Sequence, residues 1–247
     1  MEDKHIRIAR RGYDEQDLKW FSETELKKLL KAQEEVLWLM DRGYKMDSVI
    51  NFIGSHYQLA SRQRIALQRG TSSTLQCINR KEKLIPIDKI NEKSIFIDGF
   101  NLIITLEVAL SNGTLIYSND GTIRDLAGLR GTYRLIDKTY KAIEILGRFF
   151  KDLKIKEVIF YFDSPVSNSG RLKQTILEYF KTWDIKIQIE FVNNADPILE
   201  SKERVITSDS IILDKCISWF NVTGYIIENY IQECCSIYKF NTSFTSI

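Results

Sequence analysis

Apolar residues recur at helical spacing through the first third of the chain and gather into short runs through the rest. Leu26, Leu29, Leu30, Val36, Leu37 and Met40 mark one face of a helix. Ser22 with Glu25 has the form of a capping box, Phe21 with Leu26 the spacing of a hydrophobic staple, and Gly43 offers the stop. A second helix is expected from Asp47 to about His56, with Val49, Ile50 and Ile53 inward. Ser61 is the expected cap of a third, reaching Arg69 and ended by Gly70.

Past residue 90 the pattern changes. Ser94–Ile97, Glu157–Phe162, Ile185–Val192, Arg204–Thr207 and Gly224–Glu228 read as strands, and helical stretches are expected at 101–110, 137–153, 169–182 and 209–220. Gly113–Ser118 and Thr122–Asp125 flank Asn119-Asp120-Gly121, a strong hairpin signal. Strands separated by helices of this length imply right-handed crossovers. The expected fold is therefore α/β, a three-layer α/β/α sandwich with a mostly parallel central sheet, preceded by a small all-α helical domain. Residues 1–75 are assigned to the helical domain, 76–93 to a linker introduced by Thr71-Ser72-Ser73-Thr74, and 94–247 to the α/β domain.

Composition narrows the class. At 44% hydrophobic and 28% charged, the chain is that of an ordinary soluble protein, with no apolar run of membrane-spanning length and a charged amino terminus unlike a signal peptide. The cytoplasm is the expected location. Cys77, Cys216, Cys234 and Cys235 lack CxxC spacing, and with two histidines a zinc site is not expected. Residues 1–90 carry 17 Lys and Arg against 13 Asp and Glu, while residues 91–247 carry 18 against 20. That mild basic excess suits an anionic partner. The second and third helices, the latter bearing Arg62, Arg64 and Arg69, read either as a helix-turn-helix contacting nucleic acid or as a small bundle whose arginines face water.

Three apolar runs end in an aspartate: Ile95-Phe96-Ile97-Asp98, Ile159-Phe160-Tyr161-Phe162-Asp163 and Val205-Ile206-Thr207-Ser208-Asp209. In an open parallel sheet, strand ends on one edge share a crevice where ligands bind. Carboxylates gathered there repel one another, and a divalent cation is the usual remedy. Gly99 allows a sharp turn after Asp98, and Asn101 either braces that carboxylate or caps the next helix. After Asp163-Ser164-Pro165, Ser169 and Arg171 read as a phosphate contact at a helix start or as an ordinary cap. Glu107 sits in an apolar helix, and Asp120, Arg124 and Asp125 belong to the hairpin, with Arg124 a candidate phosphate contact.

The segment IDGFNLIITLEVAL resembles the opening of NYN-type members of the PIN-like nuclease superfamily, and the YFDSP and ITSDS segments resemble their later acidic elements. The resemblance implies an α/β/α sandwich that cuts RNA with Mg²⁺ or Mn²⁺ held by Asp98, Asp163 and Asp209. Asn101 would support them, and Glu107 would match the helix-borne acid. Over most of its length, through DRGYKMDSVINFIGSHYQL, DGTIRDLAGLRGTYR and DSPVSNSGRL, the chain is similar to an uncharacterised archaeal and bacterial family. That family joins a helical domain of unknown function to a PIN-like domain. Two departures stand out. Ser210 follows Asp209 where many active members have a second acid, leaving a hydroxyl to ligate or to orient water, and the DGTIRDLAGLRGTYR insert lies outside the general pattern.

The leading expectation is a metal-dependent ribonuclease or related phosphodiesterase. The rival is a non-catalytic nucleic-acid-binding or scaffold protein with a degenerate site. A phosphatase with an aspartate nucleophile ranks last, because Asp98-Gly99-Phe100 lacks the DxD pattern. Candidate partners are nucleic acid, RNA before DNA, and a second copy of the chain.

Overall fold

The computed structural model describes residues 9–128, 131–164, 166–181, 183–231 and 236–240. Pro165, the helix end at Thr182, Cys234, Cys235, the Leu129-Arg130 pair of the insert and the two termini lie outside the described residues. The amino-terminal part comprises α1 (Asp17–Trp20), α2 (Glu23–Met40), α3 (Met46–His56), α4 (Ser61–Gly70), α5 (Thr74–Glu82) and a 3₁₀ turn, Ile87–Lys89. The order then runs β1 (Ile95–Asp98), α6 (Gly99–Leu110), β2 (Leu115–Tyr117), β3 (Ile123–Asp125), α7 (Asp137–Asp152), β4 (Glu157–Asp163), α8 (Ser169–Phe180) and β5 (Lys186–Val192). It closes with α9 (Asp196–Leu199), β6 (Val205–Ile206), α10 (Ser210–Lys215), β7 (Trp219–Phe220), α11 (Val222–Tyr230) and β8 (Ile237–Lys239).

The main sheet has five strands in the order β5-β4-β1-β6-β7, all parallel. Alternation along the strands sorts side chains to two faces. Ile95 and Ile97 of β1, with Val158, Phe160 and Phe162 of β4, join the large core built with α6, α7, α8 and α11. Phe96 and Tyr161 point the other way, against Ala195, Leu199, Ile212, Leu213 and Trp219. Helices thus cover both faces, as the alternating pattern predicts. Among the described residues no helix is long and apolar enough to cross a membrane.

A second sheet, β3-β2-β8, pairs β2 and β3 as the expected antiparallel hairpin around Asn119-Asp120-Gly121. It also completes the helical unit: Ile116, Leu126 and Phe240 pack with Leu29, Ala32, Val36, Val49, Ile53 and Leu67. The amino-terminal helices therefore share a core with the hairpin. The stretch expected as a linker carries α5, and its end runs beside β7, where Ile85 N donates to Trp219 O at 2.8 Å and Trp219 N to Lys83 O at 3.1 Å.

Local signals were overruled at four places. Ser22 makes no side-chain cap, and the Glu25 carboxylate pairs with Lys28 and accepts from Gln63. Ala60, not Ser61, is the cap of α4, and its amide is met by the Gln63 side chain at 2.9 Å. The helix expected over 209–220 stops at Lys215, since Trp219 and Phe220 gain more as an edge strand beside β6. The strand expected over 224–228 is helix α11, with Val222, Ile226 and Ile227 inward. A short apolar run carries no periodicity of its own, so tertiary packing chooses.

Nearly every residue of α6 is buried, and its start presses on β4. A Cβ at Gly99 would collide with the Phe162 ring. Gly99→Ala is therefore expected to destabilise the chain by about 1–3 kcal/mol through overpacking. Chemical denaturation checks this, and an unchanged midpoint would contradict the packing.

Candidate functional site

Parallel pairing aligns the strand ends. Asp98 lies beside Tyr161, Ile97 beside Ile206, and Asp163 ends β4 two positions on. Asp98 and Asp209 are brought to a common edge of the sheet. The Asp98 carboxylate accepts from Thr207 Oγ1 at 2.8 Å and, at the start of α6, from Asn101 N at 3.4 Å. Burial pushes its pKa up to about 7; the Thr207 hydrogen bond works against this, and the nearby charges of Asp209 and Asp196 add to it. Asp196 is raised too, by burial first and then by Asp209 and Asp163. Asp98 thus feels the charges of Asp209 and Asp196, and Asp196 those of Asp209 and Asp163.

The turn carrying Asp209 is held from the start of α6. Asn101 Oδ1 accepts from both Ser208 N at 2.8 Å and Ser208 Oγ at 2.9 Å, so the Asn101 side chain braces the neighbouring turn while its backbone amide meets the Asp98 carboxylate. Asp209 N donates to Thr207 Oγ1 at 3.0 Å, and Asp209 Oδ1 caps α10 through Ile211 N at 2.7 Å. Asp163 Oδ1 accepts from Ala195 N at 2.9 Å, which fixes the loop leading into α9. Among the described residues no hydrogen bond reaches Asp163 Oδ2, Asp209 Oδ2 or the Asp196 carboxylate, and no Lys or Arg is ion-paired with any of the four.

Oxygen donors of this kind suit hard cations such as Mg²⁺ and Mn²⁺. Their spacing is a separate matter. Among the described residues no three His, Cys, Asp or Glu side chains stand close enough to hold an ion as they lie. The donor chemistry fits a divalent cation; a closed cage is absent.

Other expected site residues lie elsewhere. Glu107 is fully buried about 12 Å along α6 from its start. It is ion-paired with Arg11 and hydrogen-bonded by Tyr133 Oη at 2.5 Å and by Thr139. Burial outweighs Arg11 and those hydroxyls, leaving its pKa at about 7. Glu107 therefore anchors the amino-terminal segment and does not join the aspartates.

Arg124 is buried and committed to Asp120 at 2.7 Å and Ser208 O at 2.7 Å. Ser169 opens α8 after Asn168, which adopts the left-handed conformation, and Arg171 is exposed. Ser210 opens α10, where its carbonyl accepts from Arg80 at 3.3 Å. The arginines of α4 meet protein acceptors: Arg62 grips Asp17 at 2.5 and 2.7 Å and Gly12 O at 2.6 Å. Arg64 donates to Leu59 O at 3.0 Å, and Arg69 to Asp125 O at 2.5 Å and Ala127 O at 3.1 Å. None of the three is free to serve as an open phosphate contact.

Sequence reasoning missed Asp196. It follows a strand, as the other three do, but four residues beyond the end of β5. The signal was the Asp196-Pro197 pair, a natural helix start immediately after a strand and loop.

The chain is thus an α/β protein with a five-stranded parallel sheet, an acidic sheet edge and an amino-terminal helical unit. A family described as "Domain of unknown function (DUF5616)" matches residues 87–225, and the chain belongs to that family. A second, "Protein of unknown function (DUF434)", matches residues 28–83, so the division between the two falls after α5. The chain is 37% identical over 183 residues to "Uncharacterized protein MJ0935" of Methanocaldococcus jannaschii, covering 74% of this chain and 88% of that protein. No solved structure matches.

Proposed function

We propose that the protein is a metal-dependent ribonuclease or related phosphodiesterase with a PIN-like, NYN-type α/β domain. The observation that carries this reading is the Asp98 carboxyl, desolvated at a strand end and pushed up to about 7 beside Asp209 and Asp196, with no Lys or Arg ion-paired to it among the described residues. A cation would relieve that repulsion. Asp98, Asp163 and Asp209 are the residues that would hold Mg²⁺ or Mn²⁺, with Asp196 added beside them. When bound, the ion would supply an activated water and positive charge for the phosphate and leaving oxygen.

The chain's own groups would do the rest. Asp98 would release its proton as the cation enters, which makes cation affinity rise with pH through about 7. Asn101 and Thr207 keep the Asp98 and Asp209 segments in register. Arg171, exposed in the first turn of α8, and Ser169 at its start are the remaining candidates for a phosphate contact.

The test is cleavage of single-stranded RNA with Mn²⁺ by wild type, Asp98→Asn and Asp163→Asn. The variants are expected to lose roughly 100-fold or more. Equal cleavage by all three would identify a contaminant and remove the reading.

Two features favour a second reading, a non-catalytic nucleic-acid-binding or scaffold protein: no three acids stand within metal-holding distance among the described residues, and Ser210 stands where the resemblance has a second acid. RNA affinity unaffected by Mn²⁺, with no saturable Mn²⁺ site in calorimetry, would select it.

A further inference from the structure

The helix that begins at Asp209 has only six residues, too few to persist by its own hydrogen bonds. Its position depends on what grips it. Gln76 and Arg80 stand on one face of α5, four residues apart, and Lys83 is the C-cap three residues on. All three reach α10. Gln76 Nε2 donates to Asp214 Oδ2 at 2.8 Å and Arg80 Nε to Asp214 Oδ1 at 2.7 Å. Lys83 Nζ closes the far end, on Leu213 O at 2.7 Å and Asp214 O at 2.9 Å.

Arg80 also works at the near end. Its guanidinium is wholly buried, and besides Asp214 it donates to Asp120 at 2.5 Å, Ser72 Oγ at 2.7 Å and Ser210 O at 3.3 Å. Arg124 approaches from the hairpin, bonding Ser208 O at 2.7 Å and the same Asp120 carboxylate. The carbonyls on either side of Asp209 are thus held by two arginines that share one buried anion. Buried ionic networks are seldom the cheapest way to fill a core, because apolar residues of similar volume often stabilise as well. What such a network can do is fix one arrangement of the chain.

We propose that α5 is the positioning element of the acidic edge, with Arg80 as the residue through which the amino-terminal helical unit sets the place of the Asp209 turn. The proposal deepens the reading of the acidic cluster as the working site. It explains why the two family segments occur here as one packed body, since the first carries the clamp and the second the acids. Arg80 touches none of the four aspartates of the cluster through a hydrogen bond and acts through the backbone beside Asp209.

Amide hydrogen exchange on the full chain tests this without metal or RNA. In Arg80→Gln, the Leu213 and Cys216 amides, which bond Asp209 O and Ile212 O within α10, are expected to exchange about tenfold faster or more. The Ile97 and Phe160 amides of the central strands should keep their wild-type rates. Arg80→Lys retains the charge but not the planar fork, so its α10 amides should fall between the two.

Unchanged α10 rates, or a uniform rise across all amides, would overturn the proposal. Should Arg80→Gln fail to fold, Lys83→Met is read the same way: selective acceleration in α10 supports the clamp, and wild-type rates there refute it. Because no cation enters the assay, failure here leaves the nuclease reading standing. Failure of the Mn²⁺ cleavage test likewise leaves the clamp standing.

Discussion

Asp120→Ala is expected to cost about 3–5 kcal/mol. The Asp120 side chain is 0% exposed and is shared by two arginines, Arg80 at 2.5 Å and Arg124 at 2.7 Å, with Thr122 N and Oγ1 also bonded to it. Burial alone would raise its pKa; Arg124 and Arg80 instead hold it well below the usual carboxylate range. Removing the anion leaves two guanidiniums without their shared counter-charge, one of them fully buried.

Urea unfolding at pH 7 should show the loss, with a melting temperature lower by roughly 10 °C. The sign with pH follows from the depressed pKa. The stabilisation is present above the unfolded value near 4 and is lost as pH falls toward the folded value. Pairing Asp120→Ala with Arg80→Met should recover part of the cost, because the two groups interact directly. Strictly additive effects would show that the network is not coupled.

The second large effect has the opposite sign. Asp98→Asn is expected to stabilise the metal-free protein at pH 8 by about 1–3 kcal/mol. The pKa of Asp98 is raised to about 7 from the ordinary aspartate value of 3.8. A raised carboxyl contributes stability that is fully present below the unfolded pKa and lost as pH rises through the folded one. The gap between those two values caps the effect at about 4 kcal/mol. The advantage of the variant should shrink from pH 8 toward pH 5, where Asp98 is protonated in the wild type. Glu107, displaced the same way, leaves a residual slope in both proteins. Added Mn²⁺ should reverse the ranking by stabilising the wild type alone. A variant less stable than wild type by the same amount at pH 8 and pH 5 would show that Asp98 is not a strained carboxylate.

Both effects begin with residues visible in the sequence, yet only one was legible there. The strand-end aspartates could be named because each depends on a local signal, an apolar run followed by an acid, and on the rule that parallel strands end on a common edge. Asp98 and Asp209 follow that rule, and Asp163 ends the neighbouring strand. Asp120 read as a turn residue, which it is, since Asn119-Asp120-Gly121 does connect β2 and β3. That it also joins Arg80 to Arg124 depends on a helix forty residues upstream, and no local pattern announces it.

The same limit separates the successes from the failures elsewhere. Periodicity located α2, α3, α6 and α7 because their inward faces repeat over three or more turns. It misread 216–228, where short apolar runs fit helix or strand equally well and pairing beside β6 decided. The resemblance implies Glu107 as the helix-borne acid, but Arg11, Tyr133 and Thr139, all distant in the chain, complete its surroundings. Arg62 and Arg69 were charges of unknown direction until Asp17 and the hairpin carbonyls claimed them.

By itself, then, the order of residues settled what short-range periodicity and strand alternation can encode: the α/β class, the helical amino-terminal unit and the acids at the ends of its strands. Which charges face one another, which helix clamps the Asp209 turn and which carboxylates stay bare were decided only by packing. The reason is that electrostatic partners are chosen by distance in space, and folding makes neighbours of residues that the sequence keeps far apart.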